Sequence, residues 1–208
     1  MVDWIISVIV LRKVFVRRII GLIVSPYQTC RQIAATGNIW ESVYIALLLA
    51  VYFSVAVIVK NDSFRPFLLT RQFVSLAVVI AISTYGVARL THTFGRLFGG
   101  IGEFRPYALL WLYSLIPTVG WFLFTSILYI VLPPPRTVRI EGMLASMVFL
   151  GISIGFLCWK AILIFLSLRF GLKLTAVKII GVWILMTPIV IGYSIAMYKL
   201  NIFVVPFL

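Results

Sequence analysis

Five stretches of this chain run for seventeen residues or more without a single Asp, Glu, Lys or Arg: 42–59, 72–88, 106–135, 142–159 and 179–198. A helix needs about 20 apolar residues to cross a hydrocarbon core of roughly 30 Å, so each run approaches or exceeds a membrane span. The fourth continues past Lys160 to residue 168, which lengthens that helix. In lipid every backbone N–H and C=O must be satisfied within the segment, and single helices achieve this where isolated strands do not. No alternation of apolar and polar residues points to a barrel. The expected fold is therefore all-α: a polytopic membrane bundle of about five transmembrane helices, with spans near 40–60, 71–92, 106–132, 142–168 and 177–199.

Composition agrees. The 208 residues are 63% hydrophobic and 11% charged, with a mean hydropathy of +1.16. Soluble domains carry about 25% charged residues, so this supply cannot build a water-facing surface. The net charge of +13 does not read as a nucleic-acid signal. Nucleic-acid binders gather Lys and Arg on one solvated face, whereas here the cations sit in small groups between apolar runs.

Those groups set an orientation. With the N-terminus inside, the inner segments hold eleven of the eighteen cations: Arg12, Lys13, Arg17, Arg18 and Arg31, then Arg89, Arg96 and Arg105, then Arg169, Lys173 and Lys178. The outer segments hold six, Lys60, Arg65, Arg71, Arg136, Arg139 and Lys199. Positive residues concentrate on the cytoplasmic side, which predicts N-in and, with five spans, C-out.

The chain divides into a basic N-terminal segment, 1–38, and a transmembrane domain, 39–208. The first segment has no run long enough to span. Its apolar-then-basic order is the reverse of a cleavable signal peptide. A helix lying in the cytoplasmic headgroup layer is expected, with Arg12, Lys13, Arg17 and Arg18 meeting anionic lipid and Trp4 dipping inward. Pro26 opens a second short element through Ala35, since proline suits the first turn of a helix.

The inventory for chemistry is thin. The one histidine, His92, has no acid near it in sequence and reads as an interfacial side chain beside Arg89 and Arg96. H-E-x-x-H and Gly-x-Ser-x-Gly are both absent. Cys30 and Cys158 are far apart in sequence and read as two buried small hydrophobes. No catalytic residue, cofactor or metal site is expected. Lys160 is the one charge inside a span and the candidate intramembrane polar site. It lies about five residues below the helix middle, roughly 7–8 Å, so its stem can either snorkel to the headgroups or serve a polar cavity. Pro117 and Pro188 are expected to bend the third and fifth spans. Gly151-x-x-x-Gly155 is a close-packing motif, read as packing within the chain ahead of its alternative, dimerisation.

The connection Arg96-Leu-Phe-Gly-Gly-Ile-Gly-Glu-Phe-Arg-Pro is glycine-rich. Gly99, Gly100 and Gly102 permit a tight turn, and Arg96, Phe104 and Arg105 can seat it in headgroups. A P-loop is excluded by the missing Lys-Ser/Thr ending. This segment, with Tyr113 and Pro117 in the helix that follows, resembles the Yip-domain family of Ypt/Rab-interacting membrane proteins. The resemblance covers roughly 25–200 and implies five spans, N-in and C-out. It implies a compact, prokaryotic-type member in the plasma membrane, of a kind linked to transport or export machinery. The family's GTPase partners are not carried over, because the longer cytoplasmic N-terminal region is lacking.

The expected function is non-enzymatic: an accessory subunit or membrane-organising factor acting through lipid headgroups, a membrane-protein partner or a homo-oligomer. The alternative is a small transporter or channel with a polar cavity near Lys160.

Overall fold

A computed structural model describes residues 2–60, 66–131 and 140–200. Among these residues the chain is helical throughout, without a strand. The helices are α1 (Val2–Val24), α2 (Pro26–Thr36), α3 (Glu41–Lys60), α4 (Pro66–Leu97), α5 (Phe104–Tyr113), α6 (Ile116–Val131), α7 (Ile140–Leu166) and α8 (Ala176–Lys199), with a π turn over Ser167–Gly171 between α7 and α8. Residues 61–65 and 132–139, which hold much of the two expected outer connections with Arg65, Arg136 and Arg139, lie outside the described residues, as does 201–208.

Among the described residues, three segments are long and apolar enough to cross a membrane: Phe104–Leu128, Gly142–Gly171 and Ala176–Lys199. The apolar part of α3, Glu41–Tyr52, is shorter within the described residues. The 32 residues of α4 amount to about 48 Å of helix, well beyond a hydrocarbon core of roughly 30 Å.

The helices form an arc in the order α8, α4, α3, α6, α7. Ser83 on α4 meets the Tyr193 hydroxyl on α8. Tyr52 on α3 stacks on Phe122 of α6 at 5.1 Å, and the Trp121 indole donates to Ser153 Oγ of α7 at 2.8 Å. The arc stays open between α7 and α8, which make no extended backbone approach to each other among the described residues. At one end α5 is wedged into the arc, touching α2, α3, α4, α7 and the π turn. Here it is called the junction end.

Pro117 does more than bend the third span. The helix stops at Tyr113 and restarts at Ile116, with Ser114 and Leu115 as a turn between α5 and α6. Proline has no N–H for the carbonyl four residues earlier, and its ring crowds that carbonyl. Tyr113 is that residue. The Leu115 N–H is satisfied instead by the Leu112 carbonyl at 3.1 Å. Pro188, by contrast, sits inside a continuous α8 and removes only the donor for Ile184.

The N-terminal segment is an antiparallel pair, α1 and α2, with Pro26 in the first turn of α2. Gly21 lets the helices close, since a Cβ there would lie 2.5 Å from Thr29 Oγ1. The pair is docked on the bundle. Phe15, Leu22 and Ile33 are buried with Ile45, Leu109 and Tyr113, and the Trp159 indole of α7 donates to the Leu22 carbonyl at 3.1 Å.

Two packing expectations are corrected. A Cβ on Gly151 or Gly155 would meet nothing within 4 Å, so among the described residues this pair packs against no other helix and lies on an exposed face of α7. Cys158 shares that exposed face, and only Cys30 is buried.

Candidate functional site

The glycine-rich connection is a backbone joint. Helix α4 ends in a Schellman arrangement, with the Gly100 N–H on the Gly95 carbonyl at 2.9 Å and the Gly99 N–H on the Arg96 carbonyl at 2.9 Å. This closure puts one residue in the left-handed region, and Gly99 fills that place with φ +81°. Gly100 and Gly102 are needed for close approach instead. The Ile101 and Gly102 N–H groups donate to the Leu172 carbonyl at 3.2 and 3.3 Å. A Cβ on Gly102 would sit 1.8 Å from the Gly171 carbonyl oxygen. On the other side of the joint, a Cβ on Gly171 would lie 2.8 Å from Tyr107 Cα. The connection after α4 is thus clamped to the end of the π turn that follows α7.

Phe104 follows the joint and packs inward against His92, edge to face at 5.3 Å between centroids. The Arg89 guanidinium lies over the other side of Phe104 at 3.9 Å and donates from Nε to the Tyr85 hydroxyl at 2.9 Å. His92 is buried among these rings, and its Nε2 has no hydrogen-bond partner among the described residues. Arg96 and Arg105 are exposed at this end, as are Arg169, Lys173 and Lys178.

A carboxylate not among the residues singled out in the sequence organises the other half of the junction. Glu41 opens α3 and is 1% exposed. It is ion-paired with Arg18 of α1, accepts from the Tyr113 hydroxyl of α5 at 2.5 Å, and accepts from the Asn38 N–H at 2.8 Å. Arg18 also donates to Thr36 Oγ1 at 3.1 Å. A buried charge is tolerated only when paired and hydrogen-bonded, and this one ties α1, α3 and α5 together. Of the four cations expected in headgroups, Arg12, Lys13 and Arg17 are exposed. Arg18 turns inward to Glu41. The Asn38-x-x-Glu41 spacing before an apolar run, which returns the Glu to the Asn backbone N–H, was the signal available.

Cys30 is held beneath this junction on α2, where burial pushes its thiol up to about 12.

Lys160 lies in a different setting. It lines a cavity of about 480 Å³ in the opening of the arc, walled by α7 and α8 and floored by α4, α5 and the α5–α6 break. It also lines a second cavity of about 450 Å³ between α6 and α7 that reaches Pro117. The two cavities flank the break, so Lys160, Ser114 and Pro117 come together at one level of the bundle. Thr187 lines the first cavity, while Pro188 next to it does not. Irregular backbone at membrane depth occurs where protein buries it or a cavity adjoins it, and this break has both.

No group of three or more His, Cys, Asp or Glu side chains able to hold a metal occurs among the described residues. Comparison with protein-family models, curated proteins and solved structures gives no match for this chain.

Proposed function

We propose that this chain is a non-enzymatic, five-span integral membrane protein of Yip-like layout, N-in and C-out, that acts through lipids or a membrane partner at its cytoplasmic end. The observation that carries this reading is the junction. Its backbone joint and its Glu41 centre link α1, α2, α3, α4, α5 and the π turn in one platform. The platform exposes Arg12, Lys13, Arg17, Arg96, Arg105 and Arg169. Each cation near an anionic leaflet contributes about 1 kcal/mol of attraction. In this reading α3 and α4 are spans with α5–α6, α7 and α8, and the α1–α2 pair rests on the inner surface as a lipid-facing basic cover.

The test is native mass spectrometry of the full chain extracted from mixed phosphatidylcholine and phosphatidylglycerol membranes. Preferential retention of the anionic lipid is expected, reduced in the R12Q/K13Q/R17Q variant. Equal retention of both lipids, with no co-purifying stoichiometric partner, would count against the reading.

A second reading, a small transporter, is favoured by one observation. The broken third span meets an intramembrane lysine at two cavities, and transporters commonly place substrate sites at discontinuous helices. Substrate-dependent uptake into vesicles containing the pure chain is its test.

A further inference from the structure

A further cavity, of about 520 Å³, lies between α3, α4 and α5. Six alanines line it: Ala46 and Ala50 of α3, Ala77, Ala81 and Ala88 of α4, and Ala108 of α5. Methyl groups at these places leave the space between the helices unfilled. Ala46, Ala81 and Tyr85 are exposed at its rim, so it opens sideways between α3 and α4. No Asp, Glu, Lys or Arg lines it. Its size is within the roughly 300–1,000 Å³ of ligand sites, which are mainly apolar with a few fixed polar groups.

Two polar side chains on this cavity depart from the pattern of their kind. On α4 the hydroxyls of Ser83, Thr91 and Thr93 each donate to the carbonyl four residues back, at 2.6, 2.7 and 3.0 Å. Thr84 is 7% exposed, and its hydroxyl makes no hydrogen bond among the described residues. The Trp121 and Trp159 indoles both donate. Trp111 is 8% exposed, and its indole N–H has no partner among the described residues. Trp111 also borders the opening between α7 and α8, but here it shares a cavity with Thr84. It packs in one core with Val87 and Ala88, about one turn from Thr84 along α4. The other hydroxyls of the lining are engaged, Ser42 with the Ile39 carbonyl at 2.5 Å and Tyr85 with Arg89. Buried donors ordinarily find an acceptor, and two donors on one wall call for a carbonyl.

Depth identifies that carbonyl. Arg89 is exposed near the junction end and lies five residues from Thr84, about 7–8 Å along the helix. A bilayer of roughly 40–45 Å around a core of roughly 30 Å leaves about 5–8 Å for each headgroup layer. With the Arg89 guanidinium among the headgroups, Thr84 stands where head gives way to chain, the level of the acyl esters. We propose that the cavity between α3, α4 and α5 holds one acyl chain of a membrane glycerolipid, its ester carbonyl accepting hydrogen bonds from the Thr84 hydroxyl and the Trp111 indole N–H. The chain lies against the alanines. The inference rests on the proposed function's reading of α3 and α4 as spans and deepens it, from lipids attracted by charge to one lipid recognised by its ester.

The test offers the full chain, in micelles, equal amounts of dioleoylphosphatidylcholine and its diether analogue, which has the same head and chains but no carbonyls. Native mass spectrometry reads which lipid stays bound. Wild type is expected to retain the diester over the diether by roughly fivefold, the worth of about one net hydrogen bond. T84V/W111F is expected to lose that preference, and A50L/A81L, which narrows the cavity, to retain less of both lipids. A diester carrying a diazirine on its chain is expected to label α3 and α4 of the unaltered protein in nanodiscs, which decides the matter even where a variant fails to fold. Equal retention of the two lipids by wild type would overturn the proposal, as would an undiminished preference in folded T84V/W111F. So would labelling spread over the whole lipid-facing surface, or a second copy of the chain crosslinked at the cavity in place of lipid. R12Q/K13Q/R17Q is expected to keep the ester preference, and its loss there would move the contact to the inner surface and refute the cavity site. Both probes carry the same neutral head, so a missing ester preference with anionic-lipid retention intact refutes this site alone and leaves the proposed function standing.

Discussion

Replacing Glu41 with Leu removes the buried carboxylate at the junction, and the structure sets the scale of the loss. Three groups lose their acceptor: Arg18, the Tyr113 hydroxyl and the Asn38 N–H. Removing one partner of a buried ion pair costs about 3–5 kcal/mol, because the other charge stays behind uncompensated. Arg18 retains 11% side-chain exposure and a bond to Thr36, so partial rescue by water or headgroups places E41L near the low end, about 3 kcal/mol. Tyr113→Phe removes one hydrogen bond to a charged acceptor, about 1.5–3 kcal/mol. The deciding variant is R18L/E41L. Exchanging a whole buried pair for apolar residues is often close to neutral, so the double variant should be more stable than E41L alone. Reversible unfolding of wild type, R18L, E41L and R18L/E41L in mixed micelles gives the four corners of a cycle that isolates the coupling. If E41L lies within about 0.5 kcal/mol of wild type, or if the two single losses simply add, the Arg18–Glu41 pair does not hold the junction and the reasoning fails.

Gly102→Ala forces a Cβ to 1.8 Å from the Gly171 carbonyl oxygen, a backbone clash that no rotamer relieves. Its melting temperature should fall well below that of Gly86→Ala, where a Cβ meets nothing within 4 Å; similar melting points would contradict the joint. Gly99→Ala meets only the end of a flexible Lys178 side chain but retains the left-handed φ, so a milder loss of about 1 kcal/mol is expected in the same melts. With its thiol raised from 9.0 to about 12, Cys30 should be nearly inert to maleimide at pH 8 in the folded chain and react once detergent-denatured. Cys158, exposed on the outer face of a spanning segment, should resist a membrane-impermeant maleimide in nanodiscs and react with a permeant one. Impermeant labelling of Cys158 would place that face of α7 in water.

Much of the helical layout was legible because length and missing charge are one-dimensional signals. The charge-free run at 142–159 and its extension through Lys160 correspond to α7, and Ser25-Pro26 marks where α2 begins. Pro117 marked a disturbance, although a full break needed the turn at Ser114 and Leu115 as well. What stayed hidden is which face of each helix turns inward. In a soluble helix the polar stripe reveals it, but lipid and helix interface are both apolar here, so hydropathy carries no phase. Gly151 and Gly155 were therefore assigned to packing and lie on an open face. Arg18 was assigned to headgroups with its neighbours, yet one residue, about 100° of helix rotation, separates the exposed Arg17 from Arg18 aimed at Glu41. The Lys160 cleft depends on two helices that do not close on each other, and nothing local in α7 or α8 records that gap.

The central claim is the five-span, N-in and C-out arrangement with the junction in the cytoplasm. It is tested most directly by single-cysteine topology mapping on a cysteine-free chain (C30A/C158A) in intact cells, with reporters at Ser25, Asp62, Ile101, Thr137, Thr175 and Asn201. The arrangement predicts impermeant labelling from outside at Asp62, Thr137 and Asn201 only, with Ser25, Ile101 and Thr175 labelled after permeabilisation. Labelling of Ile101 or Thr175 from outside, or of Asn201 on the same side as Ser25, would contradict it.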